Sequence, residues 1–208
     1  MQDHEYALVG GVNRAKIGRY ITLVSAIVSA GIVFVLLSAV DLAKKYDLSV
    51  NLPPVVLSLV GAGSVFVALY WIFDRFLWRL PGVAMFLRVP NLSGDWHCDG
   101  QTLNPDKSPS YAWQATITIA QSWDRIRLHL ATATSTSDSV AAAIAYDSID
   151  GYHLLYHYRN TPAVTSVDLA AHRGFGELIF SKDLRTATGE YFNGSGRFSF
   201  GTMRLRKK

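Results

Sequence analysis

Residues 20–40, twenty-one in a row without a charge, constrain this 208-residue chain more than any other feature. As a helix rising about 1.5 Å per residue they cover about 32 Å, enough for a bilayer hydrocarbon core of roughly 30 Å. A second uncharged stretch covers residues 48–73. Pro53 and Pro54 suit a helix start there, which places the second span from Pro54 onward. Together the two stretches predict a transmembrane helical hairpin. A cleaved signal peptide is disfavoured by Asp3 and Glu5 in the leader, by the length of the apolar run and by the second span that follows it. A mean hydropathy of +0.17 with 17% charged residues agrees.

Basic residues flanking the spans set an orientation. Arg14, Lys16 and Arg19 precede the first span, Lys44 and Lys45 lie between the two, and Arg75, Arg79 and Arg88 follow the second. Three and three against two place both termini in the cytoplasm. The expected organisation is a cytoplasmic leader (1–19), a first transmembrane helix (20–40), a short periplasmic loop (41–53), a second transmembrane helix with an interfacial extension (54–80), a linker (81–90) and a cytoplasmic domain (91–208). Neither apolar stretch, 20–40 or 54–73, contains a charged residue, so no transport pathway is built into them. Small residues at Ser25, Ser29, Gly61, Ser64 and Ala68 let helices approach closely, either within one hairpin or between several.

After Pro90 the hydrophobic period changes to two. Trp113, Ala115, Ile117 and Ile119 alternate with polar residues, as do Ile126, Leu128 and Leu130, and Tyr152, Leu154, Tyr156 and Tyr158 follow the same rhythm. Weaker candidates at 94–103, 140–146, 170–180, 185–192 and 197–205 bring the count to eight, separated by turn signals. Short, evenly spaced strands fit an antiparallel sandwich or an eight-stranded up-and-down barrel, and the barrel is the expected fold, with room for one small ligand. Glycines 174, 176, 189 and 201 are expected at kinks and bulges of the curved sheet.

Charge and motifs exclude several functions. Up to residue 89 the chain holds 8 Lys/Arg against 5 Asp/Glu, and from Pro90 it holds 12 against 11, four of the 12 in the last five residues. The domain therefore has no broad basic face, and polymeric nucleic acid is not an expected partner. The lone Cys98 excludes an internal disulfide and fits a reducing compartment. No nucleophile elbow, phosphate loop or zinc signature is present, so no catalytic residue is expected. His153 and His157 would sit about 13 Å apart along one strand, and His97 and Cys98 point to opposite faces, so neither a metal nor another cofactor is expected. A small-ligand pocket fits better. Trp96, Trp113, Tyr152, Tyr156, Arg173, Phe175, Tyr191, Asn193 and Arg197 bring rings that stack bases and guanidinium groups that hold phosphates. The same residues also suit a plain aromatic core with solvated arginines.

Two segments decide between these readings: NLSGDWHCDG at 91–100 and GEYFNGSGRFSFGTMRLR at 189–206. They resemble the first and last strands of the two-transmembrane, β-strand-rich effectors associated with bacterial CD-NTases in CBASS antiphage defence. The order of parts, leader, two spans and barrel, is also similar to that family. Trp96 matches the opening tryptophan, Tyr191 the closing-strand tyrosine, and Arg197 and Arg204 the terminal basic positions. Phe192 stands where the pattern expects tryptophan, and residues 193–196 are unusually glycine-rich. The resemblance implies a multi-pass protein of the bacterial inner membrane whose barrel binds a cyclic dinucleotide made by a partner CD-NTase. Binding would drive homo-oligomerisation of the spans among the membrane lipids, disruption of the membrane and death of the infected cell. The expected ligand contacts are Trp96, Tyr156, Tyr191 and Arg197, then Arg173 and Asn193. The alternative is a membrane-tethered, lipocalin-like carrier or sensor of a lipid or other apolar ligand, with an apolar lumen.

Overall fold

A computed structural model describes residues 3–48, 53–164, 170–194 and 198–208. The chain divides into two compact units, Val12–Trp78 and the remainder, in which Met1–Gly11 joins Arg79–Lys208.

The first unit is helical. Helix α1 (Arg14–Lys45) starts at Asn13, whose side chain accepts the Ala15 N–H at 2.8 Å. This N-cap satisfies one of the donors that every helix start leaves orphaned. The second span is not one helix. It comprises α2 (Pro54–Leu59), with proline at its first turn as expected, and α3 (Ala62–Arg75), followed by a 3-10 turn at Leu77–Arg79. Gly61 has an extended backbone where the sequence reading continued the helix. Glycine is a poor helix interior residue, and the break falls there. Ser29 Oγ of α1 donates to the Val60 carbonyl that the break leaves free. Leu23, Ile27, Phe34 and Val67 are each more than 60% exposed, so the helices present large apolar side chains outward. A soluble core helix would bury them. Lipid is the environment that suits them.

The second unit is a closed sheet of nine strands, where the sequence reading gave eight. The strands are β1 (His4–Val9), β2 (Gly94–Leu103), β3 (Pro109–Gln121), β4 (Arg125–Ala131), β5 (Ser135–Asp147), β6 (Gly151–Pro162), β7 (His172–Phe180), β8 (Thr186–Asn193) and β9 (Phe200–Lys207). β2 to β9 run up and down in sequence order. β9 returns to β2 in antiparallel register, Trp96 opposite Lys207 through Leu103 opposite Phe200, and β4 meets β5, so the order closes into a barrel. The ninth strand is the leader. β1 lies between β4 and β5, antiparallel to the first and parallel to the second, so the sheet is not purely up-and-down. A short helix α4 (Pro81–Leu87) precedes the segment that enters β2.

Alternation along the strands points Trp96, Cys98, Ile117, Ile119, Leu154, Leu178, Phe180 and Leu205 into one apolar core. Gln121 closes its end: the amide donates to the Pro90 carbonyl at 3.1 Å and accepts the Leu92 N–H at 2.9 Å. Arg79 donates to the Gln121 carbonyl, and Gly10 abuts the Tyr146 carbonyl. The expected glycine bulges are not where the sheet is irregular. Register shifts fall at Thr102/Leu103 and Ser139/Ala141 instead.

Candidate functional site: an open, ring-lined cavity

At the opposite end of the barrel the described residues leave the lumen open. The lumen holds a cavity of about 1220 Å³, lined by residues that lie close to the turns at that end. Three glycines explain how large rings fit against the wall. A Cβ on Gly100 would collide with the Trp113 ring across the β2–β3 ladder, one on Gly176 would lie 2.6 Å from Tyr156, and one on Gly174 would collide with the Tyr158 hydroxyl. Each ring occupies the space that a side chain on its partner strand would need.

Polar groups tie these rings together. The Tyr191 hydroxyl is 2.8 Å from Thr102 Oγ1 and accepts from Trp113 Nε1 at 3.3 Å, and the two rings meet edge to face. Tyr158 donates to Asn193 Oδ1 at 2.7 Å, and Asn193 Nδ2 donates to Ser199 Oγ at 2.8 Å. Two residues further along β6, Asn160 Nδ2 donates to Ser135 Oγ and Ser137 Oγ of neighbouring β5, at 3.1 and 3.0 Å. His172 is buried beside them, with Nδ1 donating to the Ala170 carbonyl. The wall therefore combines ring faces with hydroxyl and amide groups held by second partners, an arrangement that fixes their directions before a ligand arrives.

Burial raises the Tyr156 hydroxyl well above its ordinary pKa, helped by Tyr158 and Cys98, so it stays protonated and can donate. Burial also pushes the Cys98 thiol up to about 12, with Asp99 adding to the effect, which leaves it a poor nucleophile. Among the described residues no group of three His, Cys, Asp or Glu side chains is placed to hold a metal ion.

The structure gathers half of the expected contacts. Tyr156, Tyr191 and Asn193 line the cavity. Trp96 does not: it is fully buried at the closed end, donates Nε1 to the Leu92 carbonyl at 3.0 Å and packs edge-on against Phe180. Arg173 is exposed on the outer face of β7, beside Phe175, which stacks on Phe192 there. Arg197 lies outside the described residues. Sequence reasoning left Tyr158, Thr102, Asn160, His172 and the serines of β5 out of the site, although they line it. Trp113 was noted among the rings but not chosen as a contact.

Residues 87–207 match the family described as Cap15, cyclic dinucleotide receptor domain, and residues 15–79 match Cap15, TM helices. The chain belongs to the Cap15 family. It is also similar to a protein of Yersinia aleksiciae named CD-NTase-associated protein 15, with 43% identity over 207 residues, 100% of this chain and 98% of the relative. The helical unit and the barrel thus correspond to the two parts of that family, transmembrane helices and a receptor domain, and the cavity belongs to the second. No enzyme family is indicated by these matches.

Proposed function

We propose that the chain is a CBASS effector of antiphage defence, whose barrel binds a cyclic dinucleotide in the open cavity and whose membrane spans then assemble. The observation that carries this reading is the chemistry of the lumen. Trp113, Tyr156, Tyr158 and Tyr191 offer faces for bases, and hydroxyl and amide groups of Thr102, Ser137, Ser139, Asn160 and Asn193 offer hydrogen bonds to phosphate and sugar oxygens. At about 1220 Å³ the space exceeds the roughly 300–1,000 Å³ usual for small-ligand sites and suits two linked nucleotides. An apolar cargo would leave the hydroxyl and amide groups of the wall without ligand partners, which counts against the carrier.

Phosphate recognition then rests on neutral hydroxyl and amide donors of the lumen. The oligomeric step has support in the helices. Ser25 and Ser29 are buried within the hairpin, whereas Ser64 and Ala68 remain exposed for contact with other copies. Assembly of several hairpins disrupts the inner membrane in this reading and kills the infected cell, with no catalytic group involved. Both flanks of the helix pair belong to one barrel, which fits a receptor facing the cytosol where the nucleotide is made.

The test is a panel of cyclic di- and trinucleotides added to detergent-solubilised full-length protein, with calorimetry, mass measurement and dye leakage from liposomes. Tight binding by one member with a rise in mass and leakage is expected. Absence of binding by every member, with lipid extracted from the purified lumen, would replace the sensor by the carrier.

A further inference from the structure

Six residues at the start of the chain fill a gap that the eight later strands leave open. β4 and β5 pair directly at only three positions, His129, Leu130 and Ala131 against Asp138, Ser137 and Thr136. One side chain continues the ladder: Ser139 Oγ accepts the Leu128 N–H at 2.9 Å. Beyond it the two strands separate and β1 lies between them, paired at two positions with β4 and at four with β5.

The hold on β1 is thin. Tyr6 is its only buried residue, and Tyr6 donates to the Ser122 carbonyl at 3.3 Å. His4 Nε2 lies 2.7 Å from Ser139 Oγ. A strand this short with one buried side chain belongs to the least stable part of a sheet. It continues through Gly10 and Gly11, Gly10 at a φ of +76° that other residues resist, and such a connection absorbs backbone change. Ser139 has two roles. Its hydroxyl contacts β1 through His4, and the same residue lines the cavity. A ligand that takes this hydroxyl competes with His4 for it, so filling the cavity speeds the undocking of β1, and undocking is the step that exchange between copies must pass through.

We propose that the β4–β5 gap is a strand-acceptor site: filling the cavity releases β1, and the vacated edges take up β1 of a second copy of this chain. This rests on the reading of the cavity as a cyclic dinucleotide site. The partner follows from the register. Unpaired strand edges recruit another strand, and β1 is the segment whose backbone satisfies both edges while Tyr6 enters the core and Tyr6, Ala7 and Leu8 meet Ala142, Ala143 and Ile144. An exchanged strand remakes between chains the contacts it lost within one, so the swap needs no new surface.

Single-cysteine additions test this on full-length protein in detergent. Ala7 and Ala143 are paired in register, and buried Cys98 does not interfere. The double variant A7C/A143C should crosslink within one chain without nucleotide. A mixture of the A7C and A143C variants should form interchain disulfide as its main product once the tightest-binding member of the cyclic dinucleotide panel is added, from a trace before. A rise in mass without that link overturns strand exchange and leaves the sensor reading intact. A second arm needs no nucleotide: H4A placed in both variants removes the contact to Ser139 and should raise the interchain product at least tenfold. No rise, with an unchanged circular dichroism spectrum, also overturns exchange. If no nucleotide binds, the cavity reading falls and the H4A arm still decides the strand.

Discussion

Trp96 and Trp113 both face inward from neighbouring strands, but at opposite depths. Trp96→Ala should cost about 3–5 kcal/mol of stability, the usual cost of emptying a buried ring site, and leave the affinity of the folded fraction unchanged. Trp113→Ala should do the reverse. It removes a partly buried stacking face worth about 1–3 kcal/mol per base, so affinity should fall roughly fivefold to a hundredfold with a smaller loss of stability. Chemical denaturation and calorimetry on the two variants check this, and equal behaviour would remove Trp113 from the ligand wall. The pair also shows what the sequence carries. Alternation along 94–103 and 109–121 gives the face of each residue correctly and says nothing directly about depth. Depth was nevertheless written in the turns. Alternate turns of a meander lie at one end, so Trp113, Tyr158, Tyr191 and Asn193, all near the turns after β2, β6 and β8, share the mouth, while Trp96 and Phe180 lie near turns at the other end. The outward direction of Arg173 was equally legible, because it follows buried His172 by one residue.

The β4–β5 seam depends on few groups. On its outer side Asp138 Oδ1 accepts from Arg127 Nη2 at 2.7 Å and from Arg127 Nε and His129 Nδ1, both at 3.0 Å. Burial alone would raise the Asp138 carboxyl, but hydrogen bonds from Arg127 and His129 outweigh it and hold the pKa below the ordinary value. A carboxyl lowered on folding adds stability that is complete above its unfolded pKa of about 3.9 and is lost as pH falls through the folded value. Asp138→Asn should therefore cost about 1 kcal/mol at pH 7, since the group is partly exposed, and almost nothing near pH 2. Melting curves at the two pH values test it; an equal shift at both would show that the charge is not what matters. β1 was not legible as a strand. HEYALV is too short for a period to register, and its parallel pairing to β5 joins segments more than 130 residues apart. The break at Gly61 was visible as a glycine among small residues, yet composition alone reads the whole stretch as one span.

In the assembly proposed above, exposed Ser64 and Ala68 are the positions where added bulk should matter. Ser64→Leu or Ala68→Leu should block the nucleotide-driven increase in mass and the dye leakage while binding stays within about twofold, since neither residue lies in the barrel unit. Loss of binding by either variant would contradict this separation of roles. The barrel fixes a further property. Because β1 and β2–β9 form one sheet, both ends of the helical unit are expected on the same side of the membrane. A cytoplasmic reporter fused after Lys208 and a second one placed before His4 should both be active; activity of either only in the periplasm would refute the orientation. The inserted leader strand also sets a timetable for synthesis. The partners of β1 on β5 emerge from the ribosome about 130 residues after it, which at roughly 5–20 residues per second is on the order of ten seconds. The first strand made is thus among the last to be built in, and during that interval each nascent chain carries a free β1 beside newly inserted spans, a period when neighbouring polysomes could join two chains before any phage arrives.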